Sequence, residues 1–120
     1  MTTSRHYVLA AGGTGGHLIP AFALGQELLN RGHHVALITD ARGAKIPGCP
    51  EKMATHILPA GRITKSPRSW LPGIQAIAEG RKMARRLYAS FEPTAVVGFG
   101  GYPAFPALLG AFAEKIPTII

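Results

Sequence analysis

The chain has 120 residues, 47% of them apolar, which suits one domain with a real core and argues against disorder. Thirteen Lys and Arg against six Asp and Glu leave a net charge of +7, which favours an anionic partner: phosphate groups, nucleic acid or an acidic membrane. A single cysteine, Cys49, excludes an intramolecular disulfide framework, no apolar run reaches the roughly 18 residues of a transmembrane helix, and the polar start is unlike a signal peptide.

The elements alternate. Residues 7–11 form a short apolar run that ends at glycines, predicting a buried strand. Residues 12–16 are a glycine loop. Residues 18–31 place Leu18, Phe22, Gly25 and Leu29 on one helical face, with Pro20 in the first turn and Gly32 as the stop. Residues 34–39 predict a second, fully apolar strand, and 55–59 a weak third. Residues 61–72 read as a basic loop around Trp70, and 73–91 as a helix burying Ile77, Ala84, Leu87, Tyr88 and Phe91. A fourth strand at 94–97 leads into a second glycine loop at 98–102. A proline-opened helix at 103–114 and the start of a fifth strand at 118–120 complete the run. Repeated βα units with strands apolar on both faces imply an α/β fold with a doubly wound parallel sheet. Ligands in such sheets bind outside the carboxyl ends of strands, where both glycine loops fall.

The first loop, Ala11-Gly12-Gly13-Thr14-Gly15-Gly16-His17, joins a strand to a helix. Glycines allow close backbone approach, and free N–H groups at the helix start suit a phosphate. A tight structural turn needs fewer glycines, so ligand binding is the stronger reading. The dinucleotide pattern G-x-G-x-x-G fits Gly13 and Gly15, but its third position falls on Leu18. Asp40, at the end of the second strand, keeps that alternative alive. His17 follows the loop directly, so its ring is expected in the same cleft, as a base rather than a metal ligand. The other histidines show no metal-ligand spacing.

Gly98-Phe99-Gly100-Gly101-Tyr102-Pro103 repeats the design. Two such loops at neighbouring strand ends could hold two phosphorylated substrates. Here a resemblance appears. The segment from Gly12 to Ala21 and the run from Gly98 to Tyr102 are similar to the two N-terminal motifs of the MurG family, and the resemblance covers essentially the whole chain. That family transfers N-acetylglucosamine from UDP-GlcNAc, with inversion, to the C4 hydroxyl of undecaprenyl-diphospho-MurNAc-pentapeptide, the step from lipid I to lipid II of peptidoglycan synthesis. The resemblance implies the N-terminal, Rossmann-like, acceptor-binding half of a two-domain GT-B enzyme. On that reading residues 1–120 are a truncated piece, expected to be inactive alone. The donor domain, and the family's next motif, His-Glu-Gln-Asn, would follow Ile120.

By the same resemblance His17 is the candidate base, Thr14, Gly15 and Gly16 approach UDP-GlcNAc, and Gly100, Gly101 and Tyr102 suit the acceptor diphosphate. No cofactor and no metal are expected. The resemblance also implies a peripheral protein on the cytoplasmic face of the bacterial inner membrane, with partners in a cell-wall or division complex.

The charge is concentrated. Arg62, Lys65, Arg68, Arg81, Lys82, Arg85 and Arg86 lie within 25 residues that hold one acid, Glu79, so six of the seven net charges fall there. Trp70, Leu71 and Ile74 stand among them. Apolar side chains ringed by cations suit an anionic bilayer, at ~1 kcal/mol per well-placed cation, and Trp70 suits the headgroup region. A solvated helix face is the plainer alternative. Three rival functions remain: a nucleotide-binding Rossmann domain, a non-catalytic membrane-recruiting subunit of a split glycosyltransferase, and a nucleic-acid binder. The last ranks lowest, because Trp70 is the lone aromatic in the basic run.

Overall fold

The computed structural model describes residues 4–59, 68, 70–101 and 103–120, and of Trp70 the backbone alone. Five strands, β1 (His6–Ala11), β2 (His34–Thr39), β3 (Ala54–Ile57), β4 (Ala95–Gly100) and β5 (Thr118–Ile119), form one sheet in the order β3-β2-β1-β4-β5. All pairs are parallel, as the apolar runs predict. Helix α1 (Gly15–Asn30) links β1 to β2, α2 (Trp70–Phe91) carries the chain from β3 to β4, and α3 (Ala104–Ala113) precedes β5. Strand order reverses between β1 and β4, so their carboxyl ends define the switch point where a crevice opens.

Side-chain alternation sorts the core into two layers. Leu9 and Ala11 of β1, with Val35 and Leu37 of β2, pack under Leu18, Ala21 and Phe22 of α1. Val8, Ala10, Ala36 and Ile38 face the other way, toward Ala84 and Tyr88 of α2 and Ala107 and Ala111 of α3. Small residues bring α2 and α3 close. A Cβ on Gly80 would lie 3.1 Å from Pro106 Cβ, and one on Gly110 would lie 3.2 Å from Ala84 Cβ. The Tyr88 hydroxyl donates to the Ala107 carbonyl at 2.8 Å across this seam.

Several boundaries differ from the sequence reading. Helix α1 starts at Gly15, not Leu18, with Thr14 as its extended N-cap, and Leu18 N–H bonds Thr14 O at 3.1 Å. Two glycines without side chains contribute nothing to a hydrophobic period, so the pattern shows the helix late. Pro20 therefore sits in the second turn, where its missing N–H withholds the usual donor from Gly16 O. At the other end Gly32 N–H bonds Leu29 O and His33 N–H bonds Leu28 O, with Gly32 at φ +86, a Schellman stop.

Of the segment 61–72 expected to be a loop around Trp70, residues 61–67 and 69 lie outside the described residues. Trp70, Leu71 and Pro72 instead form the first turn of α2, where proline loses no helical bond. Strand β4 runs on to Gly100, three residues past the predicted end.

Candidate functional site

The continuation of β4 changes the second glycine loop. Ala10 pairs with Gly98 and Ala11 with Gly100, so Phe99 is an extra residue, a bulge between β1 and β4. Bulges bend a strand and re-aim the residues beyond them. Here the bend carries Gly100 and Gly101, at φ +119 and +86, onto the first loop. Gly12 N–H donates to Gly100 O at 3.2 Å. A Cβ on Gly101 would be 2.4 Å from Gly12 O, and one on Gly12 would be 2.6 Å from Pro103 Cδ and Cγ. The two loops are thus one fused backbone surface, and glycine is the residue that fits at the seam.

His17 sits in the first turn of α1, half-buried. Its Nδ1 lies 2.9 Å from Gly12 O. A carbonyl accepts only, so Nδ1 carries a proton, and in the neutral ring Nε2 keeps the lone pair. A Cβ on Gly100 would come within 2.9 Å of Nε2 and 3.0 Å of Cδ2, so the ring lies against Gly100. One loop orients the imidazole through Gly12 O, and the other supplies the floor beneath it. Thr14 makes no side-chain cap to the helix. Its exposed hydroxyl and the N–H groups of Gly15 and Gly16 have no partner among the described residues, which leaves an electropositive rim at the start of α1. Tyr102 lies outside the described residues.

Asp40 is a contributor that motif reading linked only with a dinucleotide ribose. Its Oδ1 accepts from Gly43 N–H at 2.7 Å and from Gly13 N–H at 3.3 Å. The carboxylate therefore clips the first loop to the turn after β2. The signal was present, an acid at a strand end, but its partners are backbone groups that no spacing rule announces.

These parts line a cleft of about 720 Å³, within the range of small-molecule sites. Gly12, Gly13, Thr14 and His17 form its centre and Gly101 one flank; Asp40, Ala41 and Arg42 form the other flank, beside Ile57, Leu58 and Pro59. Arg42 and the apolar wall escaped the sequence reading. No group of three or more His, Cys, Asp or Glu side chains gathers among the described residues.

Of the predicted membrane residues, Trp70, Leu71, Ile74, Arg81, Lys82 and Arg85 fall on α2. Leu71 and Ile74 are exposed, 65% and 57%, and at helical spacing they share a stripe with Ala78, Lys82, Arg85 and Arg86. Arg81 is half-buried at its border. Arg68 is exposed, whereas Arg62, Lys65 and the Trp70 side chain lie outside the described residues. Arg85 is tied to Glu114 after α3, with Nε donating to Oε1 at 2.7 Å, so it is a shared rather than an open cation. No helix among the described residues is long and apolar enough to cross a membrane.

Similarity to known proteins is specific. The profile of the glycosyltransferase family 28 N-terminal domain matches residues 7–120. The chain belongs to this family. It is similar to the UDP-N-acetylglucosamine–N-acetylmuramyl-(pentapeptide) pyrophosphoryl-undecaprenol N-acetylglucosamine transferase of Novosphingobium aromaticivorans, 67% identical over 99% of this chain and 31% of that protein. The same-named protein of Nitrobacter winogradskyi is 45% identical, over 100% of this chain and 33% of its own. Among solved structures, MurG of Acinetobacter baumannii superposes with a TM-score of 0.73 at 26% identity, over 95% of this chain and 34% of that one. The chain thus spans about a third of the length of these relatives. The α/β sheet and its GT-B kinship agree with the sequence reading.

Proposed function

We propose that this chain is the acceptor-binding half of an inverting N-acetylglucosaminyltransferase that converts lipid I to lipid II, with UDP-GlcNAc as donor. The observation that carries the reading is His17, with Nδ1 bound to Gly12 O and Nε2 over Gly100, beside the start of α1, where the N–H groups of Gly15 and Gly16 have no partner among the described residues. The relatives' names supply the substrates.

The chemistry rests on that lone pair. Nε2 accepts the proton of the acceptor C4 hydroxyl as its oxygen attacks the donor's anomeric carbon. The new C–O bond forms on the face opposite the leaving group. The bond from the anomeric carbon to the diphosphate oxygen breaks, and UDP departs with the electron pair. Gly12 O, hydrogen-bonded to Nδ1–H, holds the ring in the required tautomer and steadies the imidazolium that forms. Donor N–H groups near Thr14, Gly15 and Gly16 suit the charge growing on UDP. Gly100, Gly101 and Tyr102 are proposed for the acceptor diphosphate, and a second domain for most of the donor contacts.

The exposed Leu71–Ile74 end of α2 and its cations are proposed to rest on the anionic inner membrane at its cytoplasmic face. Cell-wall and division proteins are the neighbours expected there.

The deciding experiment replaces His17 by Ala and by Gln in the full-length protein. Loss of a general base costs ~10²–10⁴ in rate, so kcat is expected to fall by that factor with the acceptor KM little changed. Turnover like that of the wild type in either variant removes His17 from the mechanism.

A further inference from the structure

Arg42 lines the same cleft as His17, is exposed, and is not ion-paired among the described residues. The carboxylate nearest in sequence, Asp40, has its Oδ1 committed to Gly13 and Gly43 N–H. The turn that presents Arg42 is well fixed, with Ala44 N–H on Asp40 O at 3.0 Å and Lys45 N–H on Arg42 O at 3.2 Å. A held turn therefore offers to the cleft a guanidinium with no partner among the described residues, beside the apolar wall of Ile57, Leu58 and Pro59.

Its position relative to His17 indicates what it meets. Strands β2 and β4 flank β1, so Arg42 and the second glycine loop lie on opposite sides of His17. In a muramyl sugar the diphosphate is on C1 and the reactive hydroxyl on C4, across the ring. The peptide hangs from C3, next to C4. In the proposed pose, with the C4 oxygen at Nε2 and the diphosphate toward Gly101, C3 lies in the half of the ring away from the second loop, so a peptide hung from it extends away from β4 and toward the β2 side. Adjacent strands are ~4.8 Å apart and an extended peptide spans ~3.3 Å per residue, so the first residues of the peptide reach Arg42.

We infer that Arg42 is a specificity-determining residue that binds a carboxylate of the acceptor's peptide, with the Ile57–Pro59 wall beside it for an apolar peptide side chain. This rests on the transferase reading above.

The test uses the full-length protein with UDP-GlcNAc and two short-lipid acceptors. One carries the free peptide carboxylates and the other the same peptide fully amidated. Arg42→Gln is expected to lose roughly 10- to 100-fold in kcat/KM on the carboxylate acceptor, mainly through acceptor KM. On the amidated acceptor the wild type is expected to be already impaired and Arg42→Gln no worse, while Arg42→Lys falls between. Circular dichroism controls for folding, which an exposed side chain should not disturb. Equal losses on both acceptors, no loss at all, or a rise confined to the UDP-GlcNAc KM each overturn the inference. A wild-type protein that turns over neither acceptor overturns the transferase reading instead.

Discussion

Replacing Gly101 by alanine tests whether the two glycine loops are truly fused, and Gly13 provides a matched control. The two residues have nearly the same backbone, φ +86 and +84. An L side chain therefore costs about the same at either, ~1–2 kcal/mol for the left-handed conformation. Their surroundings differ. A Cβ at Gly13 meets nothing within 4 Å, whereas at Gly101 it lies 2.4 Å from Gly12 O and 2.8 Å from Gly12 C. Ordinary contacts begin at ~3.5 Å, so the first loop must retreat by roughly 1 Å. Overpacking of that kind adds ~1–3 kcal/mol. Gly13→Ala is thus expected to lose ~1–2 kcal/mol and Gly101→Ala ~2–5 kcal/mol. With a urea m-value of ~2 kcal/mol/M, the two unfolding midpoints should differ by ~1 M. The same shift of roughly 1 Å moves Gly12 O, on which His17 Nδ1 depends. Misplacements of that size cost ~10²-fold in rate, so transfer by the full-length Gly101→Ala protein should fall by about that factor. Coincident midpoints for the two variants would refute the fused-loop argument.

Tyr88→Phe removes the 2.8 Å bond to Ala107 O and should cost ~1 kcal/mol at neutral pH by urea unfolding. Burial raises the Tyr88 phenol above its usual value, so its contribution is intact below pH ~10 and is lost as pH rises, at ~1.4 kcal/mol per unit. The wild type should therefore lose stability more steeply than the variant above pH ~10, and equal alkaline slopes would count against it. Leu71→Ser with Ile74→Ser should cut sedimentation with anionic vesicles several-fold; unchanged binding, or equal binding of the wild type to neutral vesicles, sinks the membrane face. Glu114→Gln frees Arg85 at a cost of no more than ~1 kcal/mol, because both side chains of the pair are more than a third exposed. Its vesicle binding should rise, and a fall would show that the ion pair holds α2 in its binding pose.

The fold was legible because a sheet covered on both faces leaves a plain trace. Val35 to Ile38 is apolar without alternation, and that pattern admits few architectures. Errors fell where residues carry no hydrophobic signal. Gly15 and Gly16 hid the first turn of α1, and Gly98 and Gly100 made the end of β4 look like a loop. Trp70-Leu71-Pro72 read as loop because proline is a breaker in most positions, though not in a helix's first turn.

The site was legible in its parts and not in its assembly. Each glycine loop can be found by spacing, and His17 by its place after the first. That Gly12 and Gly101 touch is a contact between distant parts of the chain, set by a bulge at Phe99 that no local pattern marks. The consequence is mechanistic. Since Gly12 O fixes the His17 tautomer and Gly101 packs on Gly12, the second loop acts on the base proposed above as well as on any phosphate proposed to lie against it. Asp40 acts on the same group from the other side through Gly13. A substitution in β4 or after β2 should therefore change proton transfer at His17 without touching it, and conservative replacement of Asp40 by Asn, which keeps the acceptor oxygen, should preserve rates that Asp40→Ala loses.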